Sequence, residues 1–537
     1  MASVSATSAT FGLGTTPLLV GAAVALGAET LGPLTNAERS LVRMAAPVPD
    51  AEVETLACDI RSGGDPLGEA FCALRSPAER RLAGAVYTPA SIVRAMLDWA
   101  IGKPHPARVV DPGSGSARFA AAAARAMPDA DIVAVEIDPL AALLSRAVLA
   151  TLGVQQRSQV LVADYRSYVP ETIARTTLYI GNPPYVRHHE IDPEWKQWLA
   201  TTAASRGLRA SKLAGLHVHF FLATVARARP GDWGSFITSS EWLDVNYGAL
   251  LRDLLMDGLG GTALHIISSE SLPFAGTATT GVITCFEIGS RPSSMRLRRV
   301  RSVSDLGALT GGRPVGRARL ENTSRWTGLL RVKEPRIEGL VALGDLCRVH
   351  RGAVTGSNRI WVTDPAKIDL PDAVLVPAVT RAKDLFQAGD SIRSLDGLRA
   401  VIELPADLDE LDPAHESAVR RFLDAAERSG VREGYIARHR RAWWRVGLRE
   451  PAPILTTYMA RRAPAIVRNP AGARHINIAH GIYPREPMTA AELDRLAGSL
   501  RAAAHVREGR TYAGGLTKFE PSEMEALLVP DPRQPPA

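Results

Sequence analysis

Residues 108–185 contain RVVDPG (108–113), SARFAAAAARAM (116–127), DIVAVEID (131–138), PLAALLSRAVLATL (139–152), QVLVAD (159–164) and TLYIGNPPY (177–185). Short β-branched runs alternate with Ala- and Leu-rich stretches long enough for helices. That alternation predicts βαβ units, in which strands apolar on both faces form a mostly parallel sheet covered by helices. GSFITS (234–239), ALHIIS (263–268) and GVITCFEIG (281–289) supply later strands, and helices are expected near 216–228 and 247–256. Residues 81–290 therefore read as one α/β domain.

Upstream, residues 1–35 carry no charge before Glu29 and are rich in Ala, Gly, Ser and Thr, which reads as a poorly ordered leader. PLLVGAAVALGA (17–28) has the look of a signal-peptide apolar core. The first basic residue is Arg39, however, so the positive n-region is missing, and the run is too short to span a bilayer. Around 36–82 the pattern turns charged and helical. Residues 1–80 are thus expected to be an extension, partly disordered and then helical, with the apolar run either buried or mobile.

Downstream, RPSSMRLRRVRS (291–302) looks like a junction to a second domain, 291–537, whose elements cannot be ordered from the sequence. This half has 40 basic against 29 acidic residues, net +11, whereas residues 1–290 are net −4. Such a split suggests a polyanion-binding module joined to a part that does not itself grip phosphate. An arginine-rich coding bias is the plainer alternative, since only seven of the 63 basic residues are Lys. At 537 residues, with 46% hydrophobic and 22% charged, the chain is long enough for two or three domains with real cores, and low-complexity polymers are excluded. Cys58, Cys72, Cys285 and Cys347 show no C-x-x-C spacing, and His188 and His189 lack a second ligand pair. Neither a metal site nor a disulfide framework is expected, and a reducing cytoplasm fits.

The chemistry gathers at the ends of the expected strands. Asp111 to Phe119 follows the first strand and opens a helix, the place where an α/β sheet receives a nucleotide-like ligand, and its small residues let the backbone approach closely. Glu136 ends the second strand, where a carboxylate can accept ribose hydroxyls, and Asp164 ends the third, where it can accept an adenine amino group. Singly each carboxylate could be a helix cap or a solvated strand end. Together, spaced 25 and 28 residues apart, they imply an adenosine ligand. Asn182-Pro183-Pro184-Tyr185 directly follows the fourth strand, and its two prolines fix a rigid turn whose carbonyls have no helical partner. If the Asn182 side-chain oxygen and the Pro183 carbonyl accept hydrogen bonds from an NH2 group, its nitrogen shifts toward sp3 geometry. The lone pair then becomes nucleophilic without a side-chain base.

With these motifs the sequence, over roughly 84–530, resembles the S-adenosylmethionine-dependent adenine-N6 DNA methyltransferases of restriction-modification systems, in the γ order with the target-recognition domain last. Matching positions are Tyr87-Thr88-Pro89, Asp111 to Phe119, Glu136, Asp164, Asn182 to Tyr185 and Phe274, with two C-terminal signatures, Arg351 to Asn358 and Gly514 to Glu523. The resemblance implies a Rossmann-like methyltransferase domain followed by an α+β target-recognition domain. It implies a donor site of Thr88, Pro89, Asp111, Gly113, Gly115, Phe119, Glu136, Ile137 and Asp164. Thr88 and Pro89 would hold the methionine portion, Asp111 its amino group, Glu136 the ribose and Asp164 the adenine. Asn182, Pro183, Pro184 and Tyr185 would be catalytic, with Tyr185 and Phe274 stacking on a flipped base in duplex DNA. The alternative for Phe274 is a core aromatic before the GVITCFEIG strand.

Two departures stand out. Ala117 occupies a position usually held by glycine, which adds a single methyl, and Gly215-Leu216-His217 stands where an acidic-Leu-Tyr sequence is common. Similar chemistry activates the glutamine amide in release-factor methyltransferases and amino groups in some ribosomal RNA enzymes. Those chains are generally compact, so a basic extra domain favours DNA. A non-catalytic DNA-binding protein with a vestigial donor site is the remaining alternative. No nuclease constellation is evident, so any restriction endonuclease would be a separate protein. No membrane association and no metal are expected.

Overall fold

The computed structural model describes residues 12–75, 88–267, 281–300, 302–307, 309–330, 339–460, 463–504, 510–512 and 516–534. They fall into two compact units, up to residue 333 and from residue 334 onward.

The first unit is built on a nine-stranded sheet in the order β3-β2-β1-β4-β5-β7-β6-β8-β9. The strands are β1 (Arg108–Pro112), β2 (Asp131–Glu136), β3 (Ser158–Val162), β4 (Thr177–Gly181), β5 (Trp233–Ser239), β6 (Gly261–Ile267), β7 (Gly281–Glu287), β8 (Ser294–Val300) and β9 (Arg313–Gly316). β1 to β5 pair in parallel, and β7 inserts antiparallel between β5 and β6. Period-2 geometry places successive residues on opposite faces. Val109, Ile132 and Leu178 join the core beneath the helices Ala90–Ile101 and Arg118–Ala126. Their neighbours Val110, Val133 and Tyr179 join the core beneath Pro193–Ala204, Leu216–Arg227 and Ala249–Met256. Both faces are covered, as the continuous apolar runs require. Chain order reverses between β2-β1 and β4, so the ends of β1 and β4 flank the crevice where such sheets bind ligands.

Two expectations need correction. The first unit continues past 290, because the Arg-rich segment expected to be a junction is strand β8, parallel to β6, with β9 antiparallel beside it. Met295 and Leu297 alternate with exposed Ser294 and Arg296 and join one core, whereas Val300 joins the core of the opposite face, so the short alternation is masked by charge. Nor is the leader loose over its described part. Thr16–Ala25 is a helix with Leu19, Val20, Ala22 and Ala23 buried, and it packs with Asp50–Ser62 and Pro66–Leu74 against Pro139–Thr151. Its mixture of small and apolar residues reads as low complexity in sequence, yet small side chains are what close helix packing needs. Glu38, fully buried, pairs with Arg146 of the Pro139–Thr151 helix at 2.7 Å. No helix of the described residues is long and apolar enough to cross a membrane.

The second unit is α+β. Its core sheet joins Cys347–Arg351, Ala479–Pro484, Ile454–Thr457 and Ile466–Arg468, all antiparallel, and is covered by the helix Ala490–Ala503. The two glycine-containing signatures meet this sheet. Gly352 donates to Ala479 O at 3.0 Å, and a Cβ there would lie 2.2 Å from Ile476 O. Phe519, buried, donates its N–H to Tyr458 O and accepts from His480 Nε2 at 2.7 Å. Gly514 and Gly515 lie outside the described residues. Arg348, His350, Arg449, Glu450 and Tyr483 line a cleft of about 440 Å³ on this unit.

Candidate active site

The loop after β1 is shaped by backbone conformations that favour glycine. Gly113 and Gly115 have φ of 71° and 56°, and Ala117 has φ of 68°. The difference at Ala117 is therefore not merely an added methyl. A non-glycine residue in the left-handed region costs roughly 1 kcal/mol, a strain of about the size that burying the methyl returns. The loop is anchored by Gly113 N and Ser114 N, which both donate to Val135 O, and by Ser145 Oγ, which donates to Gly115 O at 2.7 Å.

Asp111, 1% exposed, accepts the Ala120 N–H on Oδ2 at 2.9 Å. Its other oxygen is buried with no hydrogen-bond partner among the described residues. Burial, reinforced by nearby Glu136 and opposed by the Ala120 bond, raises its carboxyl to about 8. Glu136 accepts Ile137 N and Asp138 N on Oε1, both at 2.9 Å, and Gly115 N on Oε2 at 2.8 Å. Oε2 thus keeps acceptor capacity that Oε1 has spent. Burial raises this carboxyl as well, against the pull of the three amides. Ile137 is 64% exposed, an apolar surface beside the carboxylate. Phe119 is buried in the core beneath the loop.

The turn after β4 packs directly on this loop. A Cβ at Gly113 would lie 3.3 Å from Pro184 Cδ, and one at Gly181 would lie 2.9 Å from Asp111 Oδ1, so glycine is what allows the two motifs to touch. Asn182 Nδ2 donates to the Thr88 hydroxyl at 3.0 Å, which assigns the nitrogen end of the amide to Thr88. Thr88 is buried, and Pro89 precedes the helix Ala90–Ile101 as its cap residue. Tyr185 is half-buried, with a hydroxyl that has no partner among the described residues, and burial raises its pKa. Phe274 and Tyr87 lie outside the described residues.

Asp164 follows β3 as expected, but its hydrogen-bonding capacity is taken. Arg166 reaches Oδ1 through its backbone N at 2.8 Å and Nε at 2.9 Å, and Oδ2 through Nη2 at 2.6 Å. Its guanidinium lies 3.9 Å from the centroid of the Trp195 ring. The acceptor that the resemblance assigns to an adenine amine is therefore held by Arg166, a competitor two residues away that spacing alone does not flag. Sequence reading missed Asp65 and gave no separate role to Ser116 and Arg118 within the loop. Ser116 Oγ donates to Asp65 Oδ2 at 2.6 Å, and Arg118 bridges Asp65 Oδ2 at 3.2 Å to Thr88 O at 2.8 Å. Among the described residues no group of three His, Cys, Asp or Glu is placed to hold a metal ion.

Comparison with known proteins gives three family matches. Residues 332–536 match the C-terminal domain of the type II methyltransferase M.Eco57I, 178–268 the Eco57I restriction-modification methylase family, and 94–211 the methyltransferase small domain. The chain is 51% identical over 466 residues to the type II methyltransferase M.XamI of Xanthomonas campestris pv. amaranthicola, covering 87% of each chain. It is 21% identical to the type II methyltransferase M.AccI of Acinetobacter calcoaceticus, covering 83% of this chain and 85% of that one. Among solved structures, the type IIL restriction-modification enzyme MmeI in complex with DNA shares the fold at a TM-score of 0.54 and 12% identity, covering 95% of this chain and 82% of that one.

Proposed function

The chain belongs to the type II methyltransferases of restriction-modification systems, and from that premise we propose that it transfers a methyl group from S-adenosylmethionine to the N6 amine of an adenine in duplex DNA. The observation that carries this reading is the packing of Asn182-Pro183-Pro184-Tyr185 against the glycine loop at the reversal point of the sheet.

The residues present fit the donor. Asp111 Oδ1, buried and without a partner among the described residues, is an acceptor for its ammonium group. Glu136 Oε2 has capacity for a ribose hydroxyl, and exposed Ile137 offers an apolar surface for the adenine ring. Phe119 holds the loop from beneath. Bound there, S-adenosylmethionine supplies an electrophilic methyl group.

The chain's own catalytic work falls to Asn182 and Pro183. Their two oxygens accept hydrogen bonds from the target amine, which turns its delocalised lone pair into a nucleophilic one. Thr88 accepts from the nitrogen end of the Asn182 amide, which sets the rotation that aims the oxygen end at the substrate. Tyr185 and Phe274 stack on the extruded base, and stacking of about 1 to 3 kcal/mol per base offsets unstacking. The second unit is nearly charge-balanced as a whole, so its phosphate contacts fall to local basic sites such as Arg348 and Arg449 at its cleft. The protein would act in the cytoplasm as the modification partner of a separate endonuclease.

The test is product identity. Purified protein is given tritiated donor and duplex DNA, ribosomal RNA or release factors, and the products are digested. Label in N6-methyladenine from duplex DNA is expected. Label in glutamine, RNA or cytosine overturns the reading.

A further inference from the structure

The N-terminal helices reach the candidate active site through one buried carboxylate. Asp65 caps the helix Pro66–Leu74 by accepting Gly68 N on Oδ1 at 3.0 Å, which leaves Oδ2 facing the donor loop. Oδ2 accepts from Ser116 Oγ and from Arg118 Nε. The approach is close enough that a Cβ at Gly68 would lie 2.4 Å from Ser116 Oγ. Arg118 continues the connection by donating Nη1 to the carbonyl of Thr88 at 2.8 Å, and the Thr88 hydroxyl accepts from Asn182 Nδ2. Asp65 and Thr88 are 7% and 4% exposed, so water cannot readily replace either link.

We propose that Thr88 is a positioning residue for Asn182, and that Asp65 of the N-terminal helices, acting through Arg118, fixes Thr88 in place. The inference rests on Asn182 acting on the methylated amine. Its physical content is that a planar amide can present either end to a substrate. A hydroxyl that accepts from Nδ2 fixes the rotation that puts the oxygen forward, and a hydroxyl carried on a braced backbone fixes it tightly. The N-terminal extension then becomes part of the catalytic apparatus. It also gives Thr88 a task separate from holding donor, and the two tasks have different kinetic signatures.

The experiment measures single-turnover methylation of duplex DNA at saturating donor, with donor affinity measured alongside by calorimetry, in the full-length protein. Thr88→Val keeps the shape and loses the hydroxyl; it should slow transfer about fivefold or more, consistent with the loss of one buried hydrogen bond. Thr88→Ser should restore most of the rate. Asp65→Asn, which keeps an acceptor for Ser116 but loses the charge facing Arg118, should also slow the saturated rate, and should add little in the Thr88→Val background. In an Asn182→Ala background Thr88→Val should cost nothing further, because a residue that acts only through Asn182 has nothing left to orient. The proposal is overturned if Thr88→Val and Asp65→Asn change donor affinity alone and leave the saturated rate intact. It is equally overturned if Thr88→Val slows the Asn182→Ala enzyme by the same factor as wild type. Wild-type turnover by Asn182→Ala would instead overturn the underlying assignment of Asn182. Circular dichroism checks folding, and if Asp65→Asn does not fold, the Thr88 variants decide.

Discussion

Asp111, the acceptor proposed for the donor's ammonium group, is a buried carboxyl whose charge is costly without a cation beside it. Its carboxyl is raised from an ordinary 3.8 to about 8 by burial. A carboxyl raised in the folded state supports folding fully below pH ~4, and that support is lost as pH rises toward about 8. Asp111→Asn, neutral throughout, should therefore melt higher than wild type at pH 8.5, differ less at pH 5, and bind donor more weakly. Thermal melts at the two pH values check this, and an unchanged melting temperature at pH 8.5 contradicts it. Asp111 was legible in the sequence because a strand, a glycine-rich turn and a helix announce it. Asp65 was not, because its partners lie 51 and 53 residues away with no repeating pattern to connect them. Arg166 escaped notice for the opposite reason: a neighbour two residues along looks incidental until the backbone turns its guanidinium back onto Asp164.

At the scale of elements, strands β1 to β7 follow the expected runs closely, since continuous apolar segments bounded by turns leave little choice. β8 was hidden because Arg296, Arg298 and Arg299 make it resemble a basic linker. The helix Thr16–Ala25 was hidden because Ala and Gly carry weak periodicity. What secures the N-terminal helices is packing plus the buried Glu38–Arg146 pair, whose side chains are 0% and 4% exposed. Removing one partner of such a pair leaves a charge without compensation, so Glu38→Ala should destabilise the protein by about 3 kcal/mol or more. The more exposed Arg75–Asp138 pair should matter far less, under about 1 kcal/mol for the ion pair itself. Urea unfolding of Glu38→Ala and Asp138→Asn ranks the two, and equal losses would contradict the structural role given to Glu38.

Across the whole molecule, the charge asymmetry of the sequence did not mark the division into two units: residues 1–333 carry 34 basic against 29 acidic residues, and residues 334–537 carry 29 against 27. The boundary was misplaced because β8 and β9 carry basic residues while belonging to the first unit. The internal order of the second unit was not legible: its sheet pairs segments more than a hundred residues apart, and such pairings leave no local signature. Asn182 carries the proposed chemistry most directly. In single-turnover assays on duplex DNA with tritiated donor, Asn182→Ala should lose about 10² to 10³ in rate, as expected when an aligned hydrogen bond to the transition state is removed. Donor and DNA affinities should stay within about twofold, since most protein–DNA contacts fix position rather than chemistry. An Asn182→Ala protein that methylates adenine at close to the wild-type rate would contradict the account.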